Sequence, residues 1–177
     1  MMSTLREKVI ASSLGLLFAA AAIVVPGAAA SAYTLTGCSW GPYGNNVTWL
    51  NQAPSGDYYN TGTSAGYSWA ANTDINGMSP SNGLLVGYTD NKGANGYDGW
   101  TTWGCNGNRT TYANATLNPH YMDSKSYAIK KTVWLHELGH ALGLNHSGSN
   151  AVMYSCAACT GFGWPQSDDI NGINSLY

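Results

Sequence analysis

The chain has 177 residues, of which only 9% are charged, and its seven Lys and Arg against nine Asp and Glu leave a formal net charge of −2. With no basic stripe anywhere, nucleic acid is excluded as a partner. Seven Trp and 12 Tyr stand among many Asn, Gly, Ser and Thr, so solubility has to come from neutral polar groups, which suits an extracellular protein.

The N-terminus reads as an export signal. Arg6 and Lys8 make a basic start, and Val9 to Val25 is apolar apart from Ser12, Ser13 and Gly15. Pro26 and Gly27 end the run, and Ala30-Ser31-Ala32 offers small residues for cleavage after Ala30 or Ala32. Residues 1–32 are therefore expected to be a signal peptide and 33–177 a single domain with its own core. The apolar run is short for a membrane span and no other stretch is long enough, so no stable membrane association is expected after cleavage.

All four cysteines, Cys38, Cys105, Cys156 and Cys159, follow the signal. An even count in an exported chain reads as disulfides. Three pairings are open; the closeness of Cys156 and Cys159 favours that pair together with Cys38–Cys105. The longer loop would stabilise by roughly 4 kcal/mol in the chain-entropy picture. A redox role for Cys156-Ala-Ala-Cys159 would need a thioredoxin-like βαβ pattern around it, and none is present.

Asn46 to Asn51, with Val47, Trp49 and Leu50, predicts a first strand. Pro54-Ser55-Gly56-Asp57 is a turn that leads into a helix over Tyr58 to Ala71, weakened by Gly62 and Gly66 at about 1 kcal/mol each. Gly83 to Tyr88 reads as a buried strand. Asp90 to Trp103, rich in Gly, Asn and Asp, reads as a solvated loop. Its oxygens at Asp90, Asn91, Asn95 and Asp98 suit calcium but match no EF-hand spacing. Thr110 to Leu117 alternates, with Tyr112, Asn114 and Thr116 on one side and Ala113, Ala115 and Leu117 on the other, which predicts a half-exposed strand at a sheet edge. Asn118 to Asp123 turns the chain, and Ser124 is a candidate cap. His120, in this turn, has no partner at ligand spacing and reads as a surface residue.

Ser126 to Leu142 predicts a helix apolar nearly all round, hence buried, with Lys130 and Lys131 marking where it emerges. Gly139 in mid-helix suggests that another backbone passes close by. Toward its end stands His136-Glu137-Leu138-Gly139-His140-Ala141-Leu142-Gly143-Leu144-Asn145-His146. His136 and His140, four apart, share one helix face and can grip one metal ion. Gly143 tolerates the positive φ that ends a helix, so the chain can swing His146 round to the same ion. Three imidazoles leave a fourth zinc position open, the arrangement of a catalytic site. Glu137 projects beside the ion, where a general base is needed. Further on, Ser167 reads as a helix cap with Asp168 and Asp169 in the first turn, and Ile170, Ile173, Leu176 and Tyr177 form an apolar face.

The spacing HExxHxxGxxH resembles the zinc signature of the metzincin metalloproteases. Ala151-Val152-Met153-Tyr154 resembles the Met-turn that follows it in that clan, where the methionine underlies the metal without ligating it. The C-terminal segment from Ser167 resembles the last helix of the matrixins, where an acidic pair tethers the Met-turn or receives the mature N-terminal ammonium; the resemblance implies this for Asp168 and Asp169. It also implies an α+β zincin fold with an α/β-type N-terminal part: a mixed, mostly parallel twisted sheet with an antiparallel edge strand, three main helices, and a cleft above the zinc. One catalytic zinc is expected, since the histidines of a second, structural zinc are missing, while calcium has weak support. No cysteine-switch segment is expected ahead of the domain.

The expected activity is that of a secreted, monomeric zinc endopeptidase. Zinc on His136, His140 and His146 would lower the pKa of a bound water to about 7, with Glu137 as general base. A peptide or protein substrate would add a strand to Thr110–Leu117, with Tyr112, Asn114 and Thr116 as its contacts, while the segment after Met153 would wall the side-chain pocket. The rivals are a secreted glycan- or protein-binding module with a vestigial zinc site and a zinc hydrolase of non-peptide substrates.

Overall fold

Trp49 and Leu50 do begin a strand, β1 (Trp49–Asn51), with Val47 just ahead of it, in the computed structural model, which describes residues 33–78, 83–148 and 150–177. The expected signal peptide, residues 1–32, lies outside the described residues. The turn at Pro54–Gly56 leads into helix α1 (Asp57–Asn72). The glycines that weaken its propensity are packing sites: a Cβ on Gly66 would come within 2.8 Å of the Met78 carbonyl oxygen and 3.1 Å of Trp49 Nε1. Packing overrides propensity where a bulky indole must lie against a helix.

Strands β2 (Leu85–Thr89), β3 (Gly99–Asn106) and β4 (Arg109–Leu117) complete a four-stranded sheet in the order β1-β2-β4-β3. The pairs β1–β2 and β2–β4 are parallel; β3 runs antiparallel to β4, with Gly99 opposite Leu117. This is the mixed sheet with one antiparallel edge strand that the resemblance implied.

Two expectations need correction here. The loop from Asp90 ends at Asp98, and Gly99–Trp103 belongs to β3. The density of Gly, Asn and Asp masked a short run of strand formers, Trp100-Thr101-Thr102-Trp103, which pairs with β4. Thr110–Leu117 is not the edge strand, for β4 is paired on both sides and the edge is β3. Alternation reports the two faces of a strand and says nothing of its neighbours in the sheet. Thr116, on the supposedly open side, is fully buried.

After β4, Asn118 caps a short helix α2 (Pro119–Met122), its side chain accepting from His120 N at 3.2 Å. Helix α3 (Tyr127–Leu142) is capped by Ser126 rather than Ser124, with Oγ accepting from Ile129 N at 3.4 Å. It is buried over most of its surface. Lys130 does not mark an emergence: it is buried, with Nζ 5.1 Å from the centre of the Tyr58 ring and 3.5 Å from Asp57 Oδ2. Its stem packs in the interior while its charge meets a ring and a carboxylate.

Helices α1 and α3 pack on each other, and α3 also lies against β3 and β4. Trp49, Trp69 and Trp134 fill the interior, the rings of Trp49 and Trp134 meeting edge-on at 6.3 Å. The indole N–H of Trp69 donates to Leu135 O at 3.1 Å and that of Trp40 to Ala141 O at 2.9 Å, so both polar tips are satisfied by α3 carbonyls.

The one-turn helix α4 (Ala157–Thr160) is closed by Cys156–Cys159, and Cys38–Cys105 ties the N-terminal segment to β3. Helix α5 (Ser167–Asn174) ends the chain. Its cap is Gln166, not Ser167: Gln166 and Asp169 bond reciprocally, and the Gln166 N–H donates to Asp169 Oδ2 at 2.8 Å. A capping box fixes a helix start one residue ahead of the nearest serine. Among the described residues no helix is long and apolar enough to cross a membrane.

Candidate active site

Helix α3 carries His136 and His140 one turn apart on one face, and Gly143 ends it with φ 114°. Gly143 N donates to His140 O and Leu144 N to Gly139 O, both at 3.0 Å. The reversed chain is then held by the N-terminal segment: Leu35 bridges Leu144, Asn145 N donates to Thr34 O at 2.8 Å, and Thr34 Oγ1 donates to His146 O at 3.0 Å. These contacts return His146 to the other two imidazoles, with ring centres 5.3 Å from His136 and 5.0 Å from His140.

One potential ligand atom from each of the three rings lies within 4.8 Å of the others. His136 Nδ1 sits 2.9 Å from Val152 O, and His140 Nδ1 sits 2.8 Å from Leu144 O. A carbonyl only accepts, so each Nδ1 carries the proton and each Nε2 presents a lone pair. The two Nε2 atoms are 3.1 Å apart, close to the roughly 3.3 Å that two imidazoles on a tetrahedral zinc would show with Zn–N near 2.05 Å. Burial, chiefly, pushes His136 down to about 3 and His140 down to about 4, with the neighbouring imidazoles adding to the effect. Two neutral acceptors aimed at one another have no hydrogen to share. A cation between them fits this donor set.

Glu137 turns the other way round the helix into the same cleft and is buried. Burial raises its carboxyl to about 8, the Thr101 hydrogen bond pulls it back and the Asp98 carboxylate pushes it further up. The cleft, about 430 Å³, is floored by the three histidines and Glu137 and walled by Gly96–Thr101 and Trp103 on one side and Ser155–Ala157 on the other. A wider groove of about 780 Å³, between α1 and Trp164, contains no carboxylate or imidazole.

Residues 68–177 match the family of matrixins. The chain belongs to the matrixin family. It is a metalloendopeptidase of that family, and its three-histidine cluster is of the kind that holds catalytic zinc in matrixins. No curated protein matches the chain.

In this matrixin the residue expected at the Met-turn, Met153, is buried beneath α3. A Cβ on Gly139 would collide with Met153 Sδ and come within 3.1 Å of Trp69 Cζ2. What passes close to Gly139 is thus a thioether and an indole, not the backbone expected. The acidic pair divides its work. Asp169 accepts from Val152 N at 2.8 Å and Met153 N at 3.1 Å, while Asp168 accepts from Tyr33 N at 3.2 Å and from the Ser147 hydroxyl.

None of Tyr112, Asn114 and Thr116, the substrate contacts expected on β4, lines the cleft. The strand beside the histidines is β3. Sequence reasoning missed three of its residues. Thr101 Oγ1 lies 2.8 Å from Glu137 Oε2, Gly99 leaves room for the same carboxylate, and the Trp103 ring lies nearly parallel to that of His140 at 6.3 Å. The available signal was the Thr and Trp run itself, read as loop because of what precedes it.

His120 is exposed and meets the Tyr121 ring edge-on at 4.7 Å. Oxygens suggested for calcium are used internally: Asn91 Oδ1 accepts from Gly93 N, Asn95 Oδ1 from Tyr97 N, and Asp90 pairs with Lys92 at 2.9 Å. Among the described residues the three histidines are the only group of three or more acidic, thiol or imidazole ligands that comes together.

Proposed function

We propose that this matrixin is a secreted zinc endopeptidase in which Glu137 is the general base, and that the export signal spans residues 1–32. The observation that carries the reading is the buried carboxylate of Glu137 opening on the same cleft as three convergent imidazoles. His136, His140 and His146 would hold the zinc, which would supply Lewis-acid polarisation of the scissile carbonyl and a more acidic water. Glu137 takes the proton of the attacking water and passes it to the departing amine. Burial favours the protonated acid that the second half of that cycle needs, while a cation on the three histidines would favour the carboxylate that the first half needs.

A protein substrate would run along the free edge of β3, Gly99–Asn106, and bond its backbone there. The segment Ser155–Cys159, with only Ala157 buried, would bound the side-chain pocket, kept in shape by Cys156–Cys159. Cleavage after Ala32 would turn the Tyr33 amide into an ammonium beside Asp168, strengthening the contact already present. A binding module with a vestigial site would have no use for a carboxylate placed as Glu137 is.

Casein hydrolysis by the purified protein tests this. Activity should vanish with a chelator and return with zinc, and Glu137→Ala should lower kcat by roughly 10²–10⁴-fold while binding zinc normally. Full activity in a folded Glu137→Ala protein would remove the base from the mechanism.

A further inference from the structure

The edge strand does more than border the cleft. Thr101 Oγ1 lies 2.8 Å from Glu137 Oε2 and 2.9 Å from the main-chain oxygen of the same residue. A hydroxyl has one proton and can give it to one of these acceptors at a time. Two residues earlier on the same strand face, a Cβ on Gly99 would lie 2.8 Å from Glu137 Oε1 and 2.9 Å from its Cγ. Strand β3 therefore confines the carboxylate from two sides, by a hydrogen bond at Oε2 and by a lack of free space at Oε1. From these contacts we infer that Thr101 is a positioning residue for Glu137, holding the carboxylate by a hydroxyl that has two alternative acceptors.

While Glu137 is ionised, the bond from Thr101 to Oε2 is charge-assisted and is the stronger of the two. It fixes the orientation of the carboxylate while Glu137 receives the proton of the attacking water. Once that proton has arrived the charge is gone, and the Thr101 hydroxyl can turn to the Glu137 carbonyl by rotation about one bond. No atom is gained or lost by the hydroxyl: the proton that Glu137 took leaves with the amine. A glutamate side chain has three rotatable bonds, and a general base displaced by about 1 Å loses a large part of its rate advantage. The bond to Thr101 removes that freedom without needing another charge in a buried place.

This inference rests on the reading of Glu137 as general base, so both are tested together on the zinc-loaded protein with a quenched fluorescent peptide. Thr101→Val, similar in shape but without the hydroxyl, should lower kcat roughly 10–100-fold, as losing an orienting partner does, with KM within about 2-fold and zinc content unchanged. Thr101→Ser should stay within about 3-fold of the parent. In a Glu137→Gln background, Thr101→Val should cause no further loss, because its effect passes through the carboxylate. Should Thr101→Val fail to fold, Thr101→Ala is compared with Thr101→Ser in the same way. Parental kcat in Thr101→Val, an equal loss in Thr101→Ser, or a full additional loss in the double variant would overturn the inference while leaving the base in place. Parental kcat in Glu137→Gln would overturn the base itself, and the inference with it.

Discussion

At residue 139, helix propensity and packing make opposite predictions. Glycine in a helix interior costs about 1 kcal/mol against alanine, so Gly139→Ala should stabilise if propensity decides. The added methyl, however, meets Met153 Sδ and Trp69 in a fully packed place. The thioether has little room to withdraw, because Met153 and Trp69 are both buried in the packed core. Overpacking of this kind costs about 1–3 kcal/mol, so Gly139→Ala should lower Tm, and the loss should shrink in a Met153→Ala background, a non-additivity that thermal unfolding of the four proteins would reveal. A higher Tm for Gly139→Ala would mean that the thioether moves freely. The same scale shows what a sequence discloses. His136, His140 and His146 were legible because helix period and one glycine turn spacing into geometry. Thr101 was not, because its partner Glu137 is 36 residues away and no local pattern encodes such a contact.

Among the elements, α3 was legible nearly to its ends, since its long apolar pattern has no competing period. The edge strand was not: β3 owes its existence to pairing with β4, and only its Trp and Thr residues hint at it. Helix α5 was placed correctly as a helix but its cap was assigned to a serine, because a side chain bonding back from Asp169 is invisible without coordinates. That aspartate joins two elements. Its carboxylate, fully buried, accepts from Val152 N, Met153 N and Gln166 N. Burial pushes the acid up while these three bonds pull it down, and burial prevails. Asp169→Ala would leave three main-chain donors without their acceptor, two of them in the turn beneath the histidines. With about 1–3 kcal/mol for each buried orphan, partly relieved by water entering the space, a loss of roughly 3–5 kcal/mol is expected. Because Val152 O orients His136, zinc retention on dialysis should fall together with Tm. A variant that unfolds earlier yet keeps its zinc would separate the tether from the site.

Across the whole molecule the two ends of the described domain close on the third ligand. Thr34 and Leu35 pair with the segment Leu144–His146, Tyr33 reaches Asp168 on α5, and the C-terminal Tyr177 hydroxyl donates to Leu142 O at 3.0 Å. The site is therefore tied to the fold, and its protons enter the stability of the fold. In protein stripped of metal, His136 and His140 sit near 3 and 4 against 6.5 for a free imidazole. Between those limits the unfolded chain binds protons that the folded one refuses, so stability falls with pH, by roughly 2 kcal/mol per histidine from pH 7 to 5. Glu137 acts in the opposite sense. Its folded carboxyl, near 8 against 4.5, holds a proton that the unfolded chain lacks, so acidification over the same range returns roughly 2–3 kcal/mol. The two effects oppose one another until pH drops below about 4.5, where the carboxyl binds a proton in both states and its compensation ends. Glu137→Gln removes the compensation altogether. Denaturant unfolding of the stripped proteins should therefore show Glu137→Gln losing stability more steeply than the parent from pH 7 to 5, by roughly 2–3 kcal/mol over that range. Parallel pH dependences for the two would mean that Glu137 is ionised in the metal-free fold, with water or a cation reaching a carboxylate that the packing of β3 and α3 otherwise encloses.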